Sequence, residues 1–166
     1  AAALKTHISQ TGTIATEMWV EQLLETAYGK EVVSLNLHGK LDAVLDTKSA
    51  VFVFDYKTRE ALSINAIKGE TKNSNRDYFR QLVFYKILLE KNQKYKNKSI
   101  EPALVFIKPD SKNRCPIISL PVEPADIKQV KQEIKDLIES VWSGKFLTTT
   151  CDDKDCEYCA LRKMME

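Results

Sequence analysis

Residues 39–58, GKLDAVLDTKSAVFVFDYKT, restrict the fold of this chain more than any other stretch. Residues 51–54 are β-branched and aromatic without interruption, which predicts a buried strand. Residues 41–45 form the matching apolar run, and the polar residues 46–49 between them predict the turn of a hairpin. Asp42 sits on one arm and Asp55 on the other. Lys57 follows Asp55 by two positions, so the two side chains share a face of the strand. Two carboxylates and an ammonium then converge. Paired carboxylates repel one another unless a cation lies between them, and a hard divalent ion is the usual solution. Taken singly, an acid at a strand end reads as a solvated terminus and an Asp-x-Lys as a surface ion pair. It is the order Asp42, apolar strand, Asp55, Lys57 that favours a site.

A chain of 166 residues is long enough for one domain with a real core, and 43% hydrophobic with 29% charged residues is ordinary for a soluble globular protein. No apolar run approaches the roughly 20 residues of a membrane span, and no secretory pattern opens the chain, so a cytoplasmic protein is expected. The net charge of +2 does not by itself declare a nucleic-acid partner. Its distribution is more informative. Residues 68–98 hold nine Lys or Arg against three Asp or Glu, a local excess of +6 that leaves the rest of the chain at −4. A charge run of this kind can be a solvated face, but it follows directly on the Asp/Lys stretch and suits a phosphate backbone.

In chain order, residues 13–28 are predicted as a helix with Ile14, Met18, Leu23, Leu24 and Ala27 on its buried stripe, stopped by Gly29. Residues 31–37 are expected as a strand, linked by His38 and Gly39 to the strand 41–45. Residues 51–56 form the central strand. Residues 58–75 are a long polar connection, and 77–91 a helix with Tyr78, Leu82, Tyr85 and Leu89 on one stripe. Residues 92–99 are a basic loop, 103–107 and 116–120 strands, and Pro124 opens a last helix that runs to Gly144. The expected fold is α/β, a central mixed sheet flanked by helices.

Gln81 and Tyr85 are four apart on the middle helix and share a face, with Arg76 and Arg80 just before them. Beside an acidic metal site, an amide and a hydroxyl that can position a strand and two guanidinium groups that can neutralise phosphate suit a phosphodiester backbone.

Gly39-x-x-Asp42, Asp55-Tyr56-Lys57-Thr58 and Gln81-x-x-x-Tyr85, in that order, resemble the RecB-like branch of the PD-(D/E)xK nucleases, which includes nuclease domains of helicase-nucleases and CRISPR-associated exonucleases. The resemblance runs from about Thr13 to Cys159 and implies a restriction-endonuclease-like core. It implies metal-dependent cleavage of DNA in repair or recombination, with a helicase domain as partner in the parent chain. By the family pattern Asp42, Asp55 and the Tyr56 backbone carbonyl would hold Mg²⁺ or Mn²⁺. Lys57 would act on the attacking water and on the charge of the phosphate, and Gln81 and Tyr85 would place the DNA strand.

The branch commonly carries a metal-binding histidine on its first helix, in a Gly-Thr-x-x-His pattern. Here Gly12-Thr13-Ile14-Ala15 leads to Thr16, and Glu17, Glu21 and His7 remain as candidates for that ligand. Some members close the domain with cysteines around an iron–sulfur cluster. Here Cys151-x4-Cys156-x2-Cys159 crowds the tail while Cys115 stands apart. Three clustered cysteines suit zinc or an iron–sulfur cluster if a fourth ligand joins them, from Cys115 or from outside the chain. The expected division is a nuclease core at 1–146 and a cysteine-containing tail at 147–166 packed on it. A DNA-binding module that kept the fold and lost cleavage is the alternative, and a docking domain of a repair complex a third reading.

Overall fold

In the computed structural model, which describes residues 12–72, 74–110, 112–151 and 155–164, five strands form one sheet in the order β1-β2-β3-β4-β5. They are β1 (Thr13–Tyr28), β2 (Glu31–Asp46), β3 (Ala50–Lys57), β4 (Ser99–Phe106) and β5 (Ile117–Ser119). All neighbours are antiparallel except β3 and β4, which run parallel. The helices are α1 (Ile64–Ile67), α2 (Asp77–Glu90), α3 (Pro124–Trp142) and α4 (Glu157–Lys163). The sheet is mixed and flanked by helices, as expected. The chain forms two compact units, 1–130 and 131–166, with the break inside α3.

Residues 13–28 are not a helix. They form the edge strand β1, paired along its length with β2 from Thr13↔Asp46 to Tyr28↔Glu31. Gly29 is therefore the first residue of a two-residue hairpin loop, where its φ of 61° is what a type II′ turn needs. The expected break at His38 and Gly39 is also absent, since β2 runs straight through them. Gly39 serves a different purpose there. A Cβ at this position would lie 2.8 Å from the Leu88 methyl of α2, so the glycine lets helix and strand approach.

The strands at 50–57 and 117–119 and the helices at 77–90 and 124–142 fall where the sequence places them. β4 instead starts at Ser99, inside the expected basic loop, and the short helices α1 and α4 were not expected. Thr47 closes the β2–β3 turn by exchanging hydrogen bonds with Ala50. β3 is the middle strand, and α2 packs against the sheet through Tyr85, Leu88 and Leu89. They meet Val20, Leu41, Val44, Val51 and Val53. Leu88 and Leu89 are fully buried, and each such leucine contributes about 1.5–3 kcal/mol of burial. The opposite face of the sheet carries Ala43, Leu45, Phe54, Ala103 and Val105. Among the described residues no helix is long and apolar enough to cross a membrane.

Candidate active site

β2 and β3 pair from Asp46↔Val51 to Ala43↔Phe54, and the pairing stops there. The next pair in register would be Asp42 and Asp55. The strands part at that level, β2 continuing beside β1 and β3 beside β4. Two carboxylates thus flank the mouth of a split between strands, where the backbone has left the ladder. Asp42 Oδ2 accepts the Tyr56 N–H at 2.9 Å, which closes the split from one side.

Asp55 is 4% exposed and is held by α2. Its Oδ1 accepts the Tyr85 hydroxyl at 2.6 Å and Gln81 Nε2 at 2.9 Å. Gln81 Nε2 also donates to the Tyr85 hydroxyl at 2.7 Å. The Lys57 ammonium lies 2.6 Å from Asp55 Oδ2, donates to Gln81 Oε1 at 2.7 Å, and stands 4.7 Å from the centre of the Tyr78 ring. The i,i+2 relation on β3 and the i,i+4 relation on α2 bring these four side chains into one closed network. Burial raises the Tyr85 hydroxyl pKa above its ordinary value, and the neighbouring Asp55 and then Asp42 charges push the same way. The phenol is therefore a fixed donor at every working pH.

Asp42, Asp55, Lys57, Gln81 and Tyr85 are brought together. The polar residues of α2 hold the carboxylate and the lysine rather than facing outward. Arg76 and Arg80 lie outside the network. Arg76 forks onto Asp126 at 2.9 Å and Gln129 at 2.5 Å, pinning the start of α2 to the start of α3, and Arg80 pairs with Asp77 at 2.8 Å.

The register also places Glu17, one of the candidates for the first-helix ligand. Between Thr16↔Ala43 and Met18↔Leu41, Glu17 stands opposite Asp42. Side-chain alternation slips at this level. Leu41 and Val44, three apart, both face α2, while Ala43 faces the other side. Glu17 has φ of 55°, a strained value for a side chain of this length. Its carboxylate is ion-paired with Lys40. Glu21 instead accepts Trp19 Nε1 at 3.0 Å and Asn36 at 3.5 Å, further along the β1–β2 ribbon. Thr16 faces the side opposite Asp55, with Ala43. His7 lies outside the described residues.

The donor set fits a hard cation. Asp55 Oδ2 is buried, accepts no hydrogen bond among the described residues, and meets only a positive charge. Carboxylate and carbonyl oxygens are the ligands Mg²⁺ prefers, and that ion is held by one or two carboxylates with water completing its shell.

A comparison with family patterns matches residues 2–164 to the PD-(D/E)XK nuclease superfamily. The chain belongs to that superfamily. No curated protein matches it as a relative. In this PD-(D/E)XK domain Asp55-Tyr56-Lys57 closes β3, and Asp42 on β2 accepts the Tyr56 N–H, so both acids and Lys57 lie where β2 and β3 part.

A second cluster lies in the unit 131–166. The sulfurs of Cys151, Cys156 and Cys159 lie within 4.8 Å of one another, and no disulfide joins them. The Cys159 backbone N–H, followed by the Cys151 and Cys159 side chains, lowers the Cys156 thiol pKa, which favours the thiolate that binds metals. Among the described residues it is the one group of three or more Cys, His, Asp or Glu ligand atoms gathered so closely. Cys115 belongs to the other unit, where its thiol donates to the Ile107 carbonyl at 3.5 Å.

Proposed function

We propose that this domain hydrolyses DNA phosphodiester bonds with Mg²⁺ or Mn²⁺, held by Asp42, Asp55 and the Tyr56 backbone carbonyl. The observation that carries the reading is the buried Asp55, with one oxygen fixed by Tyr85 and Gln81 and the other meeting only the Lys57 ammonium, beside Asp42 where the strands part. A bound divalent ion supplies an acidified water and a Lewis acid for the phosphoryl oxygen. The chain's own residues do the rest. Tyr85 and Gln81 hold Asp55 Oδ1 and aim the carboxylate. Gln81 also holds the Lys57 ammonium, leaving it positioned for the negative charge that grows on the phosphate. Glu17 is the candidate third carboxylate, and release from Lys40 would bring it to the pair it faces in register. Work in DNA repair or recombination, beside a helicase domain, fits such an activity, and a cytoplasmic place fits with it. The cysteine cluster is proposed to hold zinc or an iron–sulfur cluster with a ligand from elsewhere.

Incubation with single- and double-stranded DNA in Mg²⁺, Mn²⁺ or EDTA tests the reading. Cleavage should require metal and vanish in Asp55→Asn, and Asp42→Asn should weaken Mn²⁺ binding by calorimetry. Unchanged Mn²⁺ affinity in both variants rejects the site. A wild type that binds DNA but cleaves nothing with either metal moves the protein to the DNA-binding alternative. For the tail, elemental analysis of purified protein should find zinc or iron, lost in Cys156→Ser.

A further inference from the structure

A cleft of about 560 Å³ adjoins the catalytic network, within the roughly 300–1,000 Å³ range of small-molecule sites. It lies between the connection 58–75 and the first turn of α2, and Arg59, Leu62, Thr71, Ser74 and Tyr78 are among its lining residues. Two of these tie it to the chemistry. Arg59 is two residues beyond Lys57 on the same chain, and the Tyr78 ring already receives the Lys57 ammonium at 4.7 Å.

The lining divides into a fixed wall and two recognition groups, the Arg59 guanidinium and the Tyr78 ring with the Lys57 ammonium beside it. Thr71 and Ser74 are bonded to each other, the Thr71 N–H donating to Ser74 Oγ at 3.0 Å and the Ser74 hydroxyl donating back at 2.8 Å. Asp77 also lines the cleft, and its charge is met by Arg80. Arg59 is exposed and has no hydrogen bond or ion pair among the described residues, in contrast to Arg76 and Arg80. An unpaired guanidinium for a phosphate, and an aromatic ring with Leu62 for a base, are the two halves of a nucleotide site.

We propose that this cleft binds one unpaired nucleotide next to the scissile phosphate, Arg59 taking its phosphate and Tyr78 stacking its base. The proposal rests on the nuclease reading above and deepens it. A base stacked inside a duplex has no free face for Tyr78, so the cleft selects single-stranded DNA or a frayed end. The sequence pointed to Arg76 and Arg80 as phosphate ligands. Their ion pairs leave Arg59 to do this work.

Binding of fluorescent oligothymidylate, followed by anisotropy in EDTA, separates this proposal from catalysis. Tyr78→Leu should weaken binding at least about fivefold, the low end for one base on one ring, while Tyr78→Phe keeps wild-type affinity. Arg59→Gln should flatten the slope of log K against log salt by about 0.7, one phosphate on a single strand. A blunt duplex should lose no affinity in Tyr78→Leu. If wild type cleaves DNA while affinity and slope stay unchanged in Tyr78→Leu and Arg59→Gln, the subsite is overturned and the nuclease reading stands. If wild type cleaves nothing yet binds through both residues, the subsite stands and catalysis falls. Equal losses on duplex and single strand overturn the choice of an unpaired nucleotide, as does a wild type that does not bind oligothymidylate.

Discussion

Lys57 and Tyr85 both touch Asp55, and their removal should separate chemistry from positioning. Lys57→Ala takes away one electrostatic stabiliser of the transition state and should lower kcat by about 10²-fold or more. It also leaves Asp55 Oδ2 buried without a counter-charge. Breaking such a pair costs as much as ~3 kcal/mol, so the variant should melt lower than wild type in EDTA and recover most of the loss in saturating Mn²⁺. Tyr85→Phe leaves the cation in place and removes a hydrogen bond to a charged oxygen, worth about 1.5–3 kcal/mol. It should weaken Mn²⁺ affinity roughly 10-fold, as the loss of a group supporting a metal ligand does, with a smaller effect on kcat at saturating metal. Calorimetry, melting and steady-state cleavage on the two variants check this. A Lys57→Ala enzyme with full activity removes its catalytic role. Asp42, Asp55 and Lys57 were legible because a hairpin and an i,i+2 spacing fix their common face. The inward role of Gln81 and Tyr85 was not, since helix spacing says that two residues share a face but not which element the face meets. Glu17 was a candidate only by the family's habit, and its place opposite Asp42 comes from strand register, which spacing along a supposed helix could not give. The same register shows that Thr16→His would point away from the acidic pair and would not restore a family ligand.

At the scale of elements, β1 defeated the helix reading because its sequence satisfies two patterns poorly. Ile14, Met18, Leu23, Leu24 and Ala27 fit a helical stripe, and Leu, Glu, Gln, Ala and Met are good helix formers. The strand alternation from Met18 to Tyr28 is masked by Gln22 and Thr26 on the inner side, by Trp19 and Leu23 exposed on the outer, and by the slip at Glu17. Sixteen residues of complementary β2 decide the matter, and a partner strand is not visible in local propensity. α2 was legible because its apolar positions recur over three turns with no competing period. The β2–β3 corner carries a prediction of its own. Burial opposes ionisation of Asp46, but hydrogen bonds from Lys98 and then Lys94 outweigh it and hold the carboxyl below its usual range. A depressed folded pKa contributes stability above the unfolded value of about 3.9 and loses it as pH falls through the folded value. Asp46→Asn should therefore cost about 1–2 kcal/mol at pH 7 and much less near pH 3. Urea midpoints of both proteins at the two pH values check the sign, and an equal loss at both would assign the effect to packing.

Over the whole molecule, charge is where a count along the chain and the folded surface part company. The +6 excess of residues 68–98 includes Arg76, Arg80, Lys94 and Lys98. All four are ion-paired, and Asp126 and Asp46, their partners from outside the segment, cancel two of those charges. Lys86 donates to the Val122 carbonyl at 3.1 Å and holds the chain before α3. Much of the basic run is thus structural, tying α2 and the loop after it to the turn at Asp46 and to the start of α3. Lys68 and Lys72, in the connection that forms the cleft wall beside Arg59, make no ion pair among the described residues. If DNA passes over the parted ends of β2 and β3, these two lysines meet its phosphates and the paired cations do not. Neutralising Lys68 and Lys72 together should flatten the dependence of log K on log salt by roughly 1.4–1.8, since each phosphate contact releases close to one counterion. Neutralising Lys94 and Lys98 should leave that slope unchanged and lower the melting temperature instead, because it strips Asp46 of its partners. Titrations of a labelled oligonucleotide at several salt concentrations, run in EDTA so that no strand is cut, measure both slopes. A flattened slope in the Lys94/Lys98 variant, with none in the Lys68/Lys72 variant, would place the DNA across the far end of α2 and away from Asp42 and Asp55.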